Sequence, residues 1–280
     1  MNFYNATADV FVPDEKPVVE ACRRVTHLGI GAHQDDLEFM AFHGIIAGYA
    51  TRSFAGVTCT NGSGSARSGP FAGCTDEQMM AVRRREQDAA AVVGRYGVMI
   101  QLDYPSAAVK DPRATGLKDD LKQILAATRP RVVYTHNPAD KHDTHIGVLM
   151  AALRAMRELP AEARPGKVYG CEVWRDLDWL PDEAKVVLDV TGHDALALQL
   201  GAGFASQIAG GKRYDLAVQG RRRANATFLE SHALDKAQQV CFAMDLTPLV
   251  RDPARDVVEC VAEFIRQFEA DVHRRLASWK

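Results

Sequence analysis

Apolar positions along this chain follow two alternating rhythms. Short runs rich in branched and aromatic residues, at 25–32, 53–59, 98–103, 131–136, 168–174 and 186–190, have the length and punctuation of buried strands. Between them, 36–49, 76–96, 117–128, 145–159 and 194–209 space their apolar residues for one face of a helix. Thr75-Asp76-Glu77-Gln78 has the form of a capping box, and Pro130 ends one helical run before the next strand. Strands alternating with helices at this spacing predict βαβ units, hence an α/β fold with a mainly parallel sheet flanked by helices. Further on, a helix is expected over 212–230, a strand over 236–246 and a long amphipathic helix over 253–278, as C-terminal additions. Residues 1–24 read as an irregular arm and 25–280 as a single domain.

Chemistry concentrates where strands give way to helices. Ala32-His33-Gln34-Asp35-Asp36 follows the strand 25–32 and opens a helix. An imidazole and two adjacent carboxylates there lie at the carboxyl end of a strand, where open α/β sheets bind ligands. One acid can hold a metal while its neighbour acts as a base on water. A catalytic zinc takes three protein ligands, so a third must come from elsewhere. The second junction, Tyr134 to His145, supplies His136, His142 and His145 after another strand. His142 and His145 are three apart and can face the same way on one turn. Helix capping by one Asp accounts for a single carboxylate but not for two acids and a histidine beside a second cluster.

These two elements resemble those of the PIG-L/LmbE-type N-deacetylases: an Ala-His-x-Asp-Asp segment and a later His-x-x-His. Thr60-Asn61-Gly62-Ser63-Gly64 is similar to the family's Thr-x-Gly loop. Arg83-x-x-Glu86, with Ala89-Ala90-Ala91 and Gly94, is similar to its Arg-x-x-Glu helix. Together the pieces run in the expected order from about 25 to 160. The resemblance implies a Rossmann-like sheet and zinc-dependent removal of an acetyl group from an N-acetylglucosamine-type sugar. By position it implies His33, Asp36 and His145 as zinc ligands and Asp35 as general base. It also implies His142 as the group that stabilises the oxyanion, and Arg83 as a substrate-binding residue. Three positions depart from the pattern. Gln34 replaces a proline, His142-Asp143-Thr144-His145 replaces His-Pro-Asp-His, and Ser106 replaces an acid after Pro105. Fe2+ or another divalent ion would also suit nitrogen and oxygen ligands. The alternatives are a metal-dependent esterase and a non-catalytic sugar-binding module on the same scaffold.

Other features change the picture less. Gly29-x-Gly31-x-x-Gln34 lacks the third glycine of a dinucleotide fingerprint, and no acid ends the second strand. His136, at the end of a central strand, reads as a hydrogen-bonded buried histidine. Trp174 to Trp179 follows a strand at the ligand edge, where aromatic rings can stack on a sugar. The Gly-, Ser- and Arg-rich loop 61–74 is expected to border the pocket. Arg221 to Arg223 are a solvated helix face, a substrate contact or a contact to another subunit of a homo-oligomer. Among 280 residues, 34 basic and 36 acidic side chains give a net charge of −2, which offers no nucleic-acid or membrane surface. No run is apolar enough to cross a bilayer, and the N-terminus lacks the form of a standard signal. The six dispersed cysteines are expected to be free thiols in a reducing cytoplasm.

Overall fold

The computed structural model describes residues 1–279. Eight strands form one sheet: β1 Asp9–Phe11, β2 His27–Gly31, β3 Phe54–Thr60, β4 Val98–Tyr104, β5 Val132–His136, β6 Lys167–Cys171, β7 Lys185–Asp189 and β8 Val240–Asp245. Their order is β1-β4-β3-β2-β5-β6-β8-β7. Strands β4, β3, β2, β5 and β6 run parallel, while β1 at one edge and β8 and β7 at the other pair antiparallel. The expected mainly parallel, Rossmann-like α/β sheet is therefore present, with helices on both faces. All seven residues of β3 are buried, as a strand covered on both sides requires. The strand order reverses between β2 and β5, which makes their carboxyl ends a topological switch point.

Two glycines, Gly29 of the near-fingerprint and Gly56 beside it, serve packing. A Cβ at Gly29 would stand 2.9 Å from both Leu37 Cδ2 and Phe54 Cζ, and one at Gly56 on the next strand 2.8 Å from Leu37 Cδ1. Leu37, the second residue of the helix Asp36–Met40, thus sinks into a hollow between β2 and β3 and seats the helix over the sheet. The capping box at Thr75 and Gln78 forms with both bonds and starts the helix Asp76–Val93.

Several elements differ from expectation. Residues 1–24 are not irregular: β1 pairs with β4, Val18–Arg23 is helical, and the Tyr4 ring stacks on Tyr104 at 5.9 Å. The run 36–49 breaks at Ala41 into Asp36–Met40 and Phe42–Tyr49, and 194–209 breaks at Gly203-Phe204 into Asp194–Ala202 and Ala205–Ile208. Among the described residues, no helix is long and apolar enough to cross a membrane. All six cysteines are free, four of them buried.

Candidate metal centre

The turn after β2 reverses sharply at Asp35, whose φ of 90° and ψ of −27° lie in the left-handed region. For a residue with a Cβ this costs on the order of 1–3 kcal/mol, so the surroundings must hold it. They do so from the helix Asp76–Val93. Gln87 Oε1 accepts the Asp35 amide at 3.2 Å, and Gln87 Nε2 donates to Glu38 Oε1 at 2.8 Å, where the Tyr96 hydroxyl also donates. Arg83, one turn earlier, donates Nη2 to Asp35 Oδ2 at 2.9 Å and to the Gln34 carbonyl, while its Nη1 reaches Glu86 at 2.8 Å. The Arg83 guanidinium is buried, with the Phe204 ring 5.6 Å away. The Arg-x-x-Glu-Gln segment is thus a clamp on the Asp35 turn.

The left-handed turn lets Asp36 fold back. Its Oδ2 accepts the His33 amide at 2.6 Å and lies 3.4 Å from His33 Nδ1 and 3.5 Å from His145 Nε2. His145 Nε2 and His33 Nδ1 are 3.3 Å apart. One ligand atom from each of His33, Asp36 and His145 falls within 4.8 Å of the others, as a shared cation requires. Burial pushes the Asp36 carboxyl up, but the imidazoles of His145, His136 and His33 outweigh it and hold it below the ordinary range. In Asp35 burial wins over Arg83, and the carboxyl rises to about 6. Adjacent acids therefore take opposite characters, one a fixed anion and one poised near neutrality.

His145 stands in the first turn of the helix Asp143–Arg157. Its Nδ1 lies 3.2 Å from Asp140 Oδ2. This is the carboxylate–histidine pairing that fixes the tautomer of a metal-ligating imidazole and leaves Nε2 free to coordinate. Asp140 also accepts the amides of Lys141 at 2.6 Å, His142 at 3.2 Å and Trp174 at 3.3 Å. Sequence reasoning missed it; its signal was an acid five residues before His145. Asp143, the acid the sequence does place there, merely opens the helix.

His142 caps that helix: its Nδ1 accepts the Thr144 amide at 3.3 Å, which leaves the ring proton on Nε2. Burial, helped by His145 and His33, lowers His142 below its ordinary value. His136 keeps its structural character. Its Nε2 accepts the Ala32 amide at 2.9 Å and its ring stacks on His145 at 3.8 Å, pinning β2 to β5 and backing His145.

A cavity of about 640 Å³ opens over these groups. His33, Asp35, Asp36, Arg83 and His142 line it, with Ser106. The loop after β3 borders it through Gly62 to Ala66, as expected. Its far wall comes from Glu172 and Trp174 after β6 and from Tyr214 to Arg222 on the helix Tyr214–Phe228. Neither acid near Ser106 supplies the missing carboxylate: Asp103 pairs with Arg84 at 3.1 Å and Asp111 with Arg113 at 3.4 Å. The acid on this wall is Glu172, which was not singled out in the sequence. It accepts the Phe242 amide at 3.1 Å, the Leu177 amide at 3.3 Å and Asn225 Nδ2 at 2.5 Å.

Residues 28–156 match the PIG-L family, described as GlcNAc-PI de-N-acetylase. Three solved structures share the fold. A conserved protein from Thermus thermophilus is 18% identical over 83% of this chain and 99% of that one, with a TM-score of 0.62. A 4-carboxy-2-hydroxymuconate hydratase from Pseudomonas putida is 18% identical over 79% and 96%, with a TM-score of 0.60. An N,N'-diacetylchitobiose deacetylase from Pyrococcus horikoshii is 17% identical over 78% and 83%, with a TM-score of 0.59. No curated protein matches the chain.

Proposed function

We propose that this protein, with its PIG-L domain at residues 28–156, is a metal-dependent N-deacetylase acting on an N-acetylated amino sugar. The observation that carries it is the convergence of His33, Asp36 and His145 on one point beside a separately held Asp35. The fold alone would not choose the chemistry, since a hydratase shares it. Residues 25–280 would work as one unit with 1–24 as an accessory, because the cavity draws on both the PIG-L segment and the helix Tyr214–Phe228.

His33, Asp36 and His145 would hold the cation, and two imidazoles with one carboxylate suit zinc, with Fe2+ as the alternative. When bound, it supplies Lewis-acid polarisation of the acetyl carbonyl and a water of lowered pKa. Asp35 takes the proton from the attacking water. Arg83 fixes Oδ2 of that carboxylate and keeps it from collapsing onto the ligand Asp36. A base at about 6 is ionised at neutral pH yet basic enough to accept a proton. His142 donates its Nε2–H to the carbonyl oxygen as negative charge gathers there. The proton held on Asp35 then returns to the departing amine. Arg83 serves chiefly as a positioning residue for the base.

The test is acetate release from a panel of N-acetyl sugars, comparing protein stripped of metal with protein reloaded with zinc or iron. Release that requires metal is expected. Equal release without it, or none from any sugar, would overturn the proposal.

A further inference from the structure

The helix Val257–Ala277 lies outside the PIG-L match, is 21 residues long and buries only Val257. Asp256 starts it by accepting the Glu259 amide at 2.9 Å. Val257, Cys260 and Phe264, spaced three and four apart, pack against the body of the protein. From Ile265 to Trp279 every residue except Asp271 is exposed. That half is helical with little of its own chain against it. Helices in proteins are held by packing an apolar face, and a short one standing in water is marginal on propensity alone.

The exposed half is nevertheless apolar along one line. Val258, Ile265, Phe268, Val272, Leu276 and Trp279 are between 38 and 90% exposed. Val258, Ile265, Val272 and Trp279 recur every seven residues, and Val261 and Phe268 stand three after the first two. This is the a/d spacing of a seam between two helices, narrower than the face of a helix packed on a globular body. It runs beside the line of Val257, Cys260 and Phe264 that the body already covers.

The charges identify what fits the seam. From 256 to 263 the charged residues are all acids: Asp256, Glu259 and Glu263. From 272 to 279 they are all bases: His273, Arg274 and Arg275. Within the chain, Glu259 pairs with Arg266, Glu263 with Arg255 at 3.7 Å, and Asp271 with Arg274 and, at 2.7 Å, with Arg275. These pairs are solvent-exposed and contribute little, so they do not commit the charges to one partner. A parallel second copy would set acids against acids and bases against bases. An antiparallel copy sets each end against its complement, and a two-fold axis does so twice. Placing a positions on d positions then gives a single register: Ile265 meets the partner's Phe268, Val272 meets the partner's Val261, and Glu259 meets the partner's Arg274. A lipid surface fits less well, because helices that lie on membranes carry Lys and Arg along the polar face, and this one opens with three acids.

We propose that two copies of this chain pair through the helix Val257–Ala277, antiparallel about a two-fold axis between Ile265 and Phe268. The pairing is independent of the deacetylase chemistry proposed above.

Sedimentation velocity over a concentration series tests it. Wild type should reach twice the chain mass by about 100 μM. The double variant Ile265→Glu, Phe268→Glu should stay at the chain mass, with circular dichroism showing it folded. Glu259→Arg, and separately Arg274→Glu with Arg275→Glu, should each weaken association by about tenfold or more, because each brings like charges together. An equimolar mixture of these two should recover it, since each supplies the charge the other has lost. All of these charged positions are exposed, so the comparison stands even if the apolar double variant fails to fold. A wild type that stays monomeric, including one that sediments with anionic vesicles instead, overturns the proposal. So does a dimer that survives Ile265→Glu, Phe268→Glu in folded protein, or charge variants that associate as tightly as wild type.

Discussion

The two halves of the sheet do different work with different materials. On the parallel half, the junctions after β2 and β5 carry groups that are buried and held by several bonds each: Asp36 touches three histidines, and Asp140 accepts four hydrogen bonds. On the antiparallel half, the wall from Trp174 to Arg222 presents aromatic rings and long cations, and Lys212 and Trp174 are at least partly open to solvent. Bond-making groups need positions fixed to within a fraction of an ångström, whereas groups that sort substrates need only the right charge and shape. Under the proposed function, the chemistry would be built on the switch point, and selectivity on the elements added beyond it.

Substitutions can separate the halves. The largest effect is expected at the base. Asp35→Asn should lower kcat by about 10²–10⁴-fold while metal content stays stoichiometric, read by acetate release and elemental analysis. Retained turnover would move the base elsewhere, and lost metal would make Asp35 a ligand. Next comes Asp140→Ala, which removes the partner of His145 Nδ1 and should weaken metal affinity by about 10–100-fold in a competition titration with a chelator. An unchanged affinity would mean that the stacked His136 ring alone orients His145.

Arg222 links the halves. From the helix Tyr214–Phe228 it donates to the carbonyls of Glu38 and Phe39 at 2.9 and 3.0 Å and lies 4.3 Å over the Phe42 ring. Arg222→Leu should cost about 2 kcal/mol in chemical unfolding, as one buried and one half-buried carbonyl lose their donor and a desolvated cation–π contact disappears. Unchanged stability would show that the antiparallel half docks without this contact and that its wall is free to move relative to the metal ligands.

The sequence revealed the parallel half far better than the other, for a physical reason. His33, Asp35 and Asp36 sit in one turn, and His142 and His145 in another, so local spacing carries their signal. The strands feeding them are continuous apolar runs. Asp140 matters only because a loop folds it back onto His145 Nδ1, which spacing does not encode. Glu172 and Lys212 meet the site only once β8 has inserted between β6 and β7, a pairing nothing local announces. Likewise β1 is three residues long, too short for any period, and its edge position depends on β4 some ninety residues later.

That edge supplies the smallest expected effect, and a check on whether residues 1–24 belong structurally to the parallel half. Arg24 grips Asp14 with two hydrogen bonds of 2.7 and 2.8 Å and also donates to the Gly97 carbonyl at 2.9 Å, tying the N-terminal segment to the start of β4. The Arg24 hydrogen bond holds the Asp14 carboxyl below its ordinary value. The pair is partly solvated, so Asp14→Asn should cost only about 0.5–1 kcal/mol at pH 7. The sign follows from proton binding. The folded state holds this proton less tightly than the unfolded chain, so the contribution is complete above the unfolded aspartate value of about 3.9 and disappears as pH falls through the lowered folded one. Urea unfolding of wild type and Asp14→Asn should therefore differ by the same amount at pH 7 and pH 5 and converge only as pH falls through the lowered folded value. A gap that persists into acid would mean the substitution acts through packing rather than charge, leaving the N-terminal segment held by β1, the stacking of Tyr4 on Tyr104 and the hydrogen bonds of Tyr4 to Asp120 and of Asn5 to the Leu102 carbonyl.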